Sequence, residues 1–224
     1  MKRILISGIT ALAFGLLAPQ ITQAQVPTTY WSNLEQPSTG SWAVSGFTYS
    51  WLAAWFVVGN NPNGYVLNSI QLEMTGASSS PSGFTVRIYD QDPHDGGVFP
   101  GSSIGTLSGS VDPATGGIYT FTASPNLTLS SRGSYYIALT ADTTYVNGTY
   151  NWSLAGTTDH TSSDGWAAPS FIYSSPNGSS WDEYSSVIPQ FSVTATAIPE
   201  PGTLGLIALG GLLLDWRRRR QTGR

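Results

Sequence analysis

Cysteine is absent from the 224 residues, so neither a disulfide scaffold nor thiol catalysis is open to this chain. Charge is scarce at 10% of residues, and it is unevenly placed. Between Gln25 and Ile198 there is no lysine, and the only bases are Arg87 and Arg132. These two face eleven acids (Glu35, Glu73, Asp90, Asp92, Asp95, Asp112, Asp142, Asp159, Asp164, Asp182 and Glu183), a formal balance of −9. A surface of that sign repels phosphate backbones and excludes nucleic-acid binding as a function class. It also opposes docking of the folded part on anionic lipid. Histidine occurs only at 94 and 160, with no His-x-x-x-His pair, so a zinc site lacks its ligands. Disorder is excluded by what is present: 27 Trp, Tyr and Phe residues.

The bases missing from the middle are at the ends. Lys2 and Arg3 precede an apolar run, Ile4 to Ala18, which Pro19 breaks; Thr22-Gln23-Ala24 then supplies a small residue. That is the order of a secretory signal peptide, with cleavage expected between Ala24 and Gln25 by signal peptidase after passage through the Sec machinery. At the other end, Pro199-Glu200-Pro201-Gly202-Thr203 precedes an apolar stretch, Leu204 to Leu214; Asp215, Trp216 and Arg217, Arg218, Arg219 and Arg220 follow. A helix over Gly202 to Leu214 would be about 20 Å long at ~1.5 Å per residue. A bilayer core is about 30 Å thick, so this stretch is a poor permanent anchor. It can stall in a membrane with Trp216 at the interface and the arginines on the cytoplasmic side as a membrane stop.

This three-part tail resembles the PEP-CTERM sorting signal of Gram-negative bacteria. The resemblance rests on Pro199-Glu200-Pro201 with Gly202-Thr203, on the apolar segment containing Gly210-Gly211, and on Arg217 to Arg220. Asp215 departs from the pattern, because it puts a carboxylate between the helix and the basic run. The resemblance implies an exosortase, a membrane cysteine transpeptidase or protease, as a partner. It implies an inner-membrane intermediate, removal of the tail near Pro199-Glu200-Pro201, and delivery to the cell surface or extracellular matrix. The chain then divides into a signal peptide (1–24), a body (25–198) and a sorting signal (199–224).

The body shows no helical periodicity of useful length. Short alternating runs recur instead: 51–58, 65–74, 83–90, 104–110, 118–123, 134–140, 150–154, 171–174 and 190–196. Turn material separates them, such as Asn60-Asn61-Pro62-Asn63-Gly64 and Asn147-Gly148. About nine short strands at this spacing predict an all-β, antiparallel sandwich, jelly-roll-like, flanked by the signal helix and the short C-terminal helix. Pro169 to Trp181 reads as a polar, Ser-rich exposed loop. The order Trp55-Phe56-Val57-Val58, Val86-Arg87-Ile88-Tyr89-Asp90, Tyr135-Tyr136-Ile137-Ala138-Leu139 and Asn151-Trp152 is similar to the bacterial surface domains called choice-of-anchor. They are defined by their varied C-terminal anchors, so the likeness implies a location more than a chemistry.

Three candidate sites stand out in the body. Asp90, Asp92 and Asp95 sit on a Gly-rich loop, as oxygen ligands for calcium do. Pro93 intrudes there, and position 101, where a calcium loop places its bidentate Glu, is Gly. The alternative is a solvated acidic loop whose carboxylates cap turns. Trp166 and Trp181 flank the Ser-rich segment and are the candidate platforms for sugar rings, with burial in the core as the alternative for both; Trp51, Trp55 and Trp152, within strands, are expected in the core. Asp182 with Asp164 is a conceivable carboxylate pair for glycoside hydrolysis. The sequons at Asn126, Asn147, Asn151 and Asn177 read as coincidence in a Ser/Thr/Asn-rich bacterial chain. The reading favoured is a non-enzymatic, exported surface or matrix protein, structural or adhesive among exopolysaccharides. A carbohydrate-binding module is second, and a glycoside or ester hydrolase third.

Overall fold

The computed structural model describes residues 25–45, 51–93, 99–109, 111–169, 171–178, 180–185 and 188–199. Among them the chain is all-β. Strands β1 (Thr28–Ser32) and β2 (Ser38–Val44) precede β3 (Trp51–Val57), β4 (Tyr65–Ser79), β5 (Thr85–Gln91), β6 (Pro100–Gly109), β7 (Gly117–Leu129) and β8 (Ser134–Thr140). A 3-10 turn at Tyr145–Asn147 leads into β9 (Gly148–Ala155). Strands β10 (Thr161–Ser162), β11 (Phe171–Ser175), β12 (Asp182–Ser185) and β13 (Phe191–Ala197) follow. The signal helix and the C-terminal hydrophobic helix expected above lie outside the described residues. Among those described, no helix is long and apolar enough to cross a membrane.

Every pairing is antiparallel, and the strands form one hydrogen-bonded path, β10-β1-β13-β4-β7-β6-β5-β8-β3-β11-β12. Strand β4 is the spine. Its first half pairs with β13 and β7, and its second half carries β9, which in turn carries β2. The pairing register slips at Asn68 against both neighbours, the mark of a β-bulge. The extra residue resets the alternation, so Tyr65 and Leu67 before it and Ile70, Leu72 and Met74 after it are all buried.

The path folds over on itself around a single main core. Leu52, Ala54, Phe56 and Val58 meet Ile137 and Leu139 of β8, Val86 and Ile88 of β5, and Phe191, Val193 and Ala195 of β13. Trp166 proves the closure: its ring stacks on Phe56 of β3 (centroids 6.1 Å apart) and on Tyr30 of β1 (5.2 Å), from distant places in the sheet order. The result is sandwich-like, but it is one continuous sheet where two separate sheets were expected. Burying a large apolar side chain contributes about 1.5–3 kcal/mol, so this one cluster carries most of the stability.

All nine predicted strands are present. Strands β1, β2, β10 and β12 were not anticipated. They are short or, in β2, rich in Ser and Gly and largely exposed over their first half, so they carry little alternation. The exposed loop expected over Pro169 to Trp181 is a misreading. Strand β11 runs through it between β3 and β12, with Tyr173, Ser174 and Ser175 buried.

Candidate functional site

Where β13 ends, the chain leaves the body beside the β3–β4 turn. That turn has Asn61 first, Pro62 second and Gly64 fourth, the residue order a tight turn favours. The Asn61 carbonyl accepts from Gly64 N–H at 2.9 Å. Gly64 has φ +78°, and a Cβ there would run into the Leu129 carbonyl, so only glycine fits. The turn then grips the departing strand. Ile198 N–H donates to the Gly64 carbonyl at 3.0 Å. Asn61 Nδ2 donates to the carbonyls of Gly64 (2.7 Å) and Ile198 (3.0 Å), and Asn63 Nδ2 donates to the Pro199 carbonyl at 2.9 Å. One turn of strand earlier, Thr196 Oγ1 donates to Asn68 Oδ1 at the bulge (2.8 Å).

Two further loops brace this end. Arg132 Nε donates to Asn60 Oδ1 (3.0 Å), and Asn60 N–H donates to the Asp164 carbonyl (3.0 Å). The Tyr65 hydroxyl donates to the Asp164 carboxylate. Burial, then the Asp164 contact, raises the Tyr65 pKa; burial, then the Asp164 charge, raises that of Tyr30. Arg132 (φ 57°) and Asp164 (φ 55°) both adopt the left-handed backbone conformation. Such conformations cost about 1–2 kcal/mol and persist where surrounding contacts impose them. The chemistry available here is that of amide donors holding backbone carbonyls.

A family model, the PEP-CTERM protein-sorting motif, matches residues 197–220. This chain carries a PEP-CTERM sorting motif. The match begins at Ala197, the last residue of β13, and takes in Ile198 and Pro199, which the turn holds. The motif implies export, processing by an exosortase and sorting to the bacterial cell surface. No curated protein and no solved structure matches the chain. Of the predicted terminal residues, Pro199 lies in this grip and Gln25 is exposed ahead of β1. Ala24, Glu200, Pro201, Arg217, Arg218, Arg219 and Arg220 lie outside the described residues.

The structure separates the two tryptophans proposed as sugar platforms. Trp166 is a core residue, 3% exposed, clasped by Phe56, Tyr30 and Tyr65, so for it the core alternative holds and the sugar platform does not. Trp181 is half-buried over a second aromatic cluster on the outer face of β3, β5, β8 and β11. Cross-strand neighbours Trp55, Tyr136 and Tyr89 form one row, and Tyr173, Ala53, Ala138 and Arg87 form the next. The two alanines leave room for rings: Tyr173 meets Tyr136 edge-on at 5.4 Å and Phe99 at 5.7 Å, and Trp181 meets Tyr89 at 6.2 Å. Trp55 Nε1, Trp181 Nε1 and the Tyr136 hydroxyl are buried in this cluster without a hydrogen-bond partner among the described residues. Trp152 is fully buried as expected. Trp51 and Trp55 instead occupy the outer face, Trp51 under the Arg87 guanidinium at 5.8 Å.

The acidic candidates that are described make contacts within the fold. Asp90 Oδ1 accepts from Ser102 N–H at 2.6 Å, a cap on the start of β6. Asp92 N–H donates to the Phe99 carbonyl at 2.9 Å, closing the base of the loop. Asp95 lies outside the described residues, and among those described no three His, Asp or Glu side chains gather into a metal set. Asp164 and Asp182 are not brought together. Asp182 pairs with Ser174, which faces Leu52, whereas the Asp164 carbonyl meets Asn60 at the far end of β3. Leu52 and Asn60 are eight residues apart, an extended interval of about 26 Å at ~3.3 Å per residue. Glycosidase carboxyl pairs stand about 5–9.5 Å apart. Gly101-Ser102-Ser103-Ile104-Gly105 has the spacing of a hydrolase elbow. Ser103 lies within β6 opposite Tyr89, in extended pairing where an elbow needs a strand-to-helix turn.

Proposed function

We propose that the mature protein is a non-enzymatic component of the bacterial surface or extracellular matrix, structural or adhesive among exopolysaccharides. The observation that carries this reading is the placement of the PEP-CTERM motif directly after β13, on an acidic, disulfide-free β body. The apolar stretch parks the chain in the inner membrane until an exosortase acts, and the body then joins the outer layer. The intact mass of the protein from native cells and medium tests this. Termini near Gln25 and near Pro199 are expected. A mass that still includes Arg217 to Arg220 makes the tail a membrane anchor and overturns the sorting step.

A second reading, a carbohydrate-binding body, is favoured by one observation, the outer-face cluster under Trp181. Flat rings suit sugar C–H faces, and Trp181 is the half-buried ring that caps this cluster. Retention on immobilised exopolysaccharide should fall in Trp181→Ala with the fold intact. Equal retention of wild type and variant removes this reading.

A further inference from the structure

We propose that Asn61 and Asn63 are a clamp on the sorting motif: they hold its first residues against the body, and the sorting enzyme takes the Pro199–Glu200 segment only when the clamp lets go. The inference rests on the exosortase reading above and adds positioning residues to it.

Pro-Glu-Pro has an unusual backbone. Proline has no N–H, so Pro199-Glu200-Pro201 offers one donor, on Glu200, and three carbonyl acceptors. An enzyme that binds a chain in extended form works mainly through such backbone groups. Here the first of the three carbonyls already accepts from Asn63 Nδ2, and the residue before it, Ile198, has both its N–H and its carbonyl occupied by the turn. The enzyme must therefore replace these bonds, not only meet a free segment.

Distance tightens the constraint. Five residues, Pro199 to Thr203, separate the clamp from the apolar stretch at Leu204. Fully extended they reach about 17 Å, little more than the headgroup layer and the girth of one enzyme strand. With the clamp closed, Ile198 and Pro199 stay against the body end that also bears Asn60, Arg132 and Asp164. With it open, β13 gains slack through Ile198 and Pro199, and the motif clears the body. Gly64, Tyr65 and the Asp164 brace hold the turn in place whether or not Asn63 is engaged, so the clamp can open without unfolding its support.

The test is a pulse-chase of the full chain in its native cells, reading the rate of tail loss. Asn63→Ala and the isosteric Asn63→Asp, which cannot donate, should both lose the tail faster, by about two- to tenfold for one hydrogen bond. Asn63→Gln, which keeps the donor, should fall between them and wild type. Thr29→Ala, which removes the Thr29–Thr194 contact on the other side of β13, controls for general loosening and should not accelerate the step. Equal or slower tail loss in both Asn63→Ala and Asn63→Asp, or equal acceleration by Thr29→Ala, overturns the clamp and leaves the sorting reading standing. A tail retained by wild type and variants alike overturns both.

Discussion

Asn33 is 1% exposed and ties β1 to β13, and its removal should cost several times what an ordinary surface substitution does. Its Nδ2 donates to the Pro189 carbonyl at 3.0 Å, and its Oδ1 accepts from Phe191 N–H at 2.9 Å. Phe191 is itself 2% exposed and Pro189 is buried. Asn33→Ala removes both bonds and leaves a donor and an acceptor where water does not reach. Each such orphan costs about 1–3 kcal/mol, so the pair costs roughly 2–6 kcal/mol. Set against a total stability of about 5–15 kcal/mol, that is a large fraction. In a thermal melt it corresponds to a fall of roughly 2–4 °C for each kcal/mol lost. Urea unfolding followed by tryptophan fluorescence gives the free energy directly, and Trp31, stacked on Phe191 at 4.2 Å, is a local reporter. Asn33→Asp should not rescue at neutral pH, since it loses the donor and buries a charge, but should recover part of the loss in acid, where a protonated carboxyl donates again. A loss under about 0.5 kcal/mol for Asn33→Ala, the range of ordinary surface changes, would falsify this account of the strand junction.

Trp166→Ala should lower stability by about 3–5 kcal/mol, as emptying a core site does, while Trp181→Ala costs clearly less; paired urea titrations decide. Gly64→Ala should destabilise by more than about 1 kcal/mol, because it adds both a left-handed alanine and a clash with the Leu129 carbonyl, and a melt shows it. Stability should also fall on the alkaline side. Burial, then the Glu183 charge, pushes the Tyr173 hydroxyl up to about 12, and burial raises Tyr136 and Tyr150 as well. The unfolded chain loses these protons from about pH 10 upward while the folded chain keeps them, so folding weakens through the window from pH 10 to 12; phenolate absorbance alongside circular dichroism tests the coincidence. If Asp90 serves only to hold the Ser102 N–H, adding a calcium chelator leaves the melt unchanged; a downward shift supports the metal reading.

What could be read in the sequence divides along physical lines. Alternation marked β3, β4, β5 and β8 because each has a buried face of Leu, Ile, Val or Phe, and a period of two follows from that burial. The acidic body and the terminal signals are properties of composition and order, which need no pairing to be seen. Asn33, Gln190, Asn61 and Asn63 were illegible for the opposite reason. They look like turn or edge material, and their importance comes from partners more than 100 positions away: Asn33 to Pro189, Gln190 Nε2 to the Gln36 carbonyl at 2.7 Å, Asn63 to Pro199. Only the β4–β13 register, Leu67 against Ala195, sets the β3–β4 turn beside the exit of the chain. Trp166 could not be assigned between core and surface from the sequence, because the rings that enclose it, Tyr30, Phe56 and Tyr65, are about 100 or more positions away.

The exit from β13 also decides how the protein meets mechanical force. Strand β13 is interior, with β1 on one side and β4 on the other. Ladder bonds in an antiparallel pair lie perpendicular to the strand. Tension drawn along the tail therefore shears two rows of bonds at once, whereas an edge strand would peel open one bond at a time. A pull on this end is resisted by β1 and β4 together.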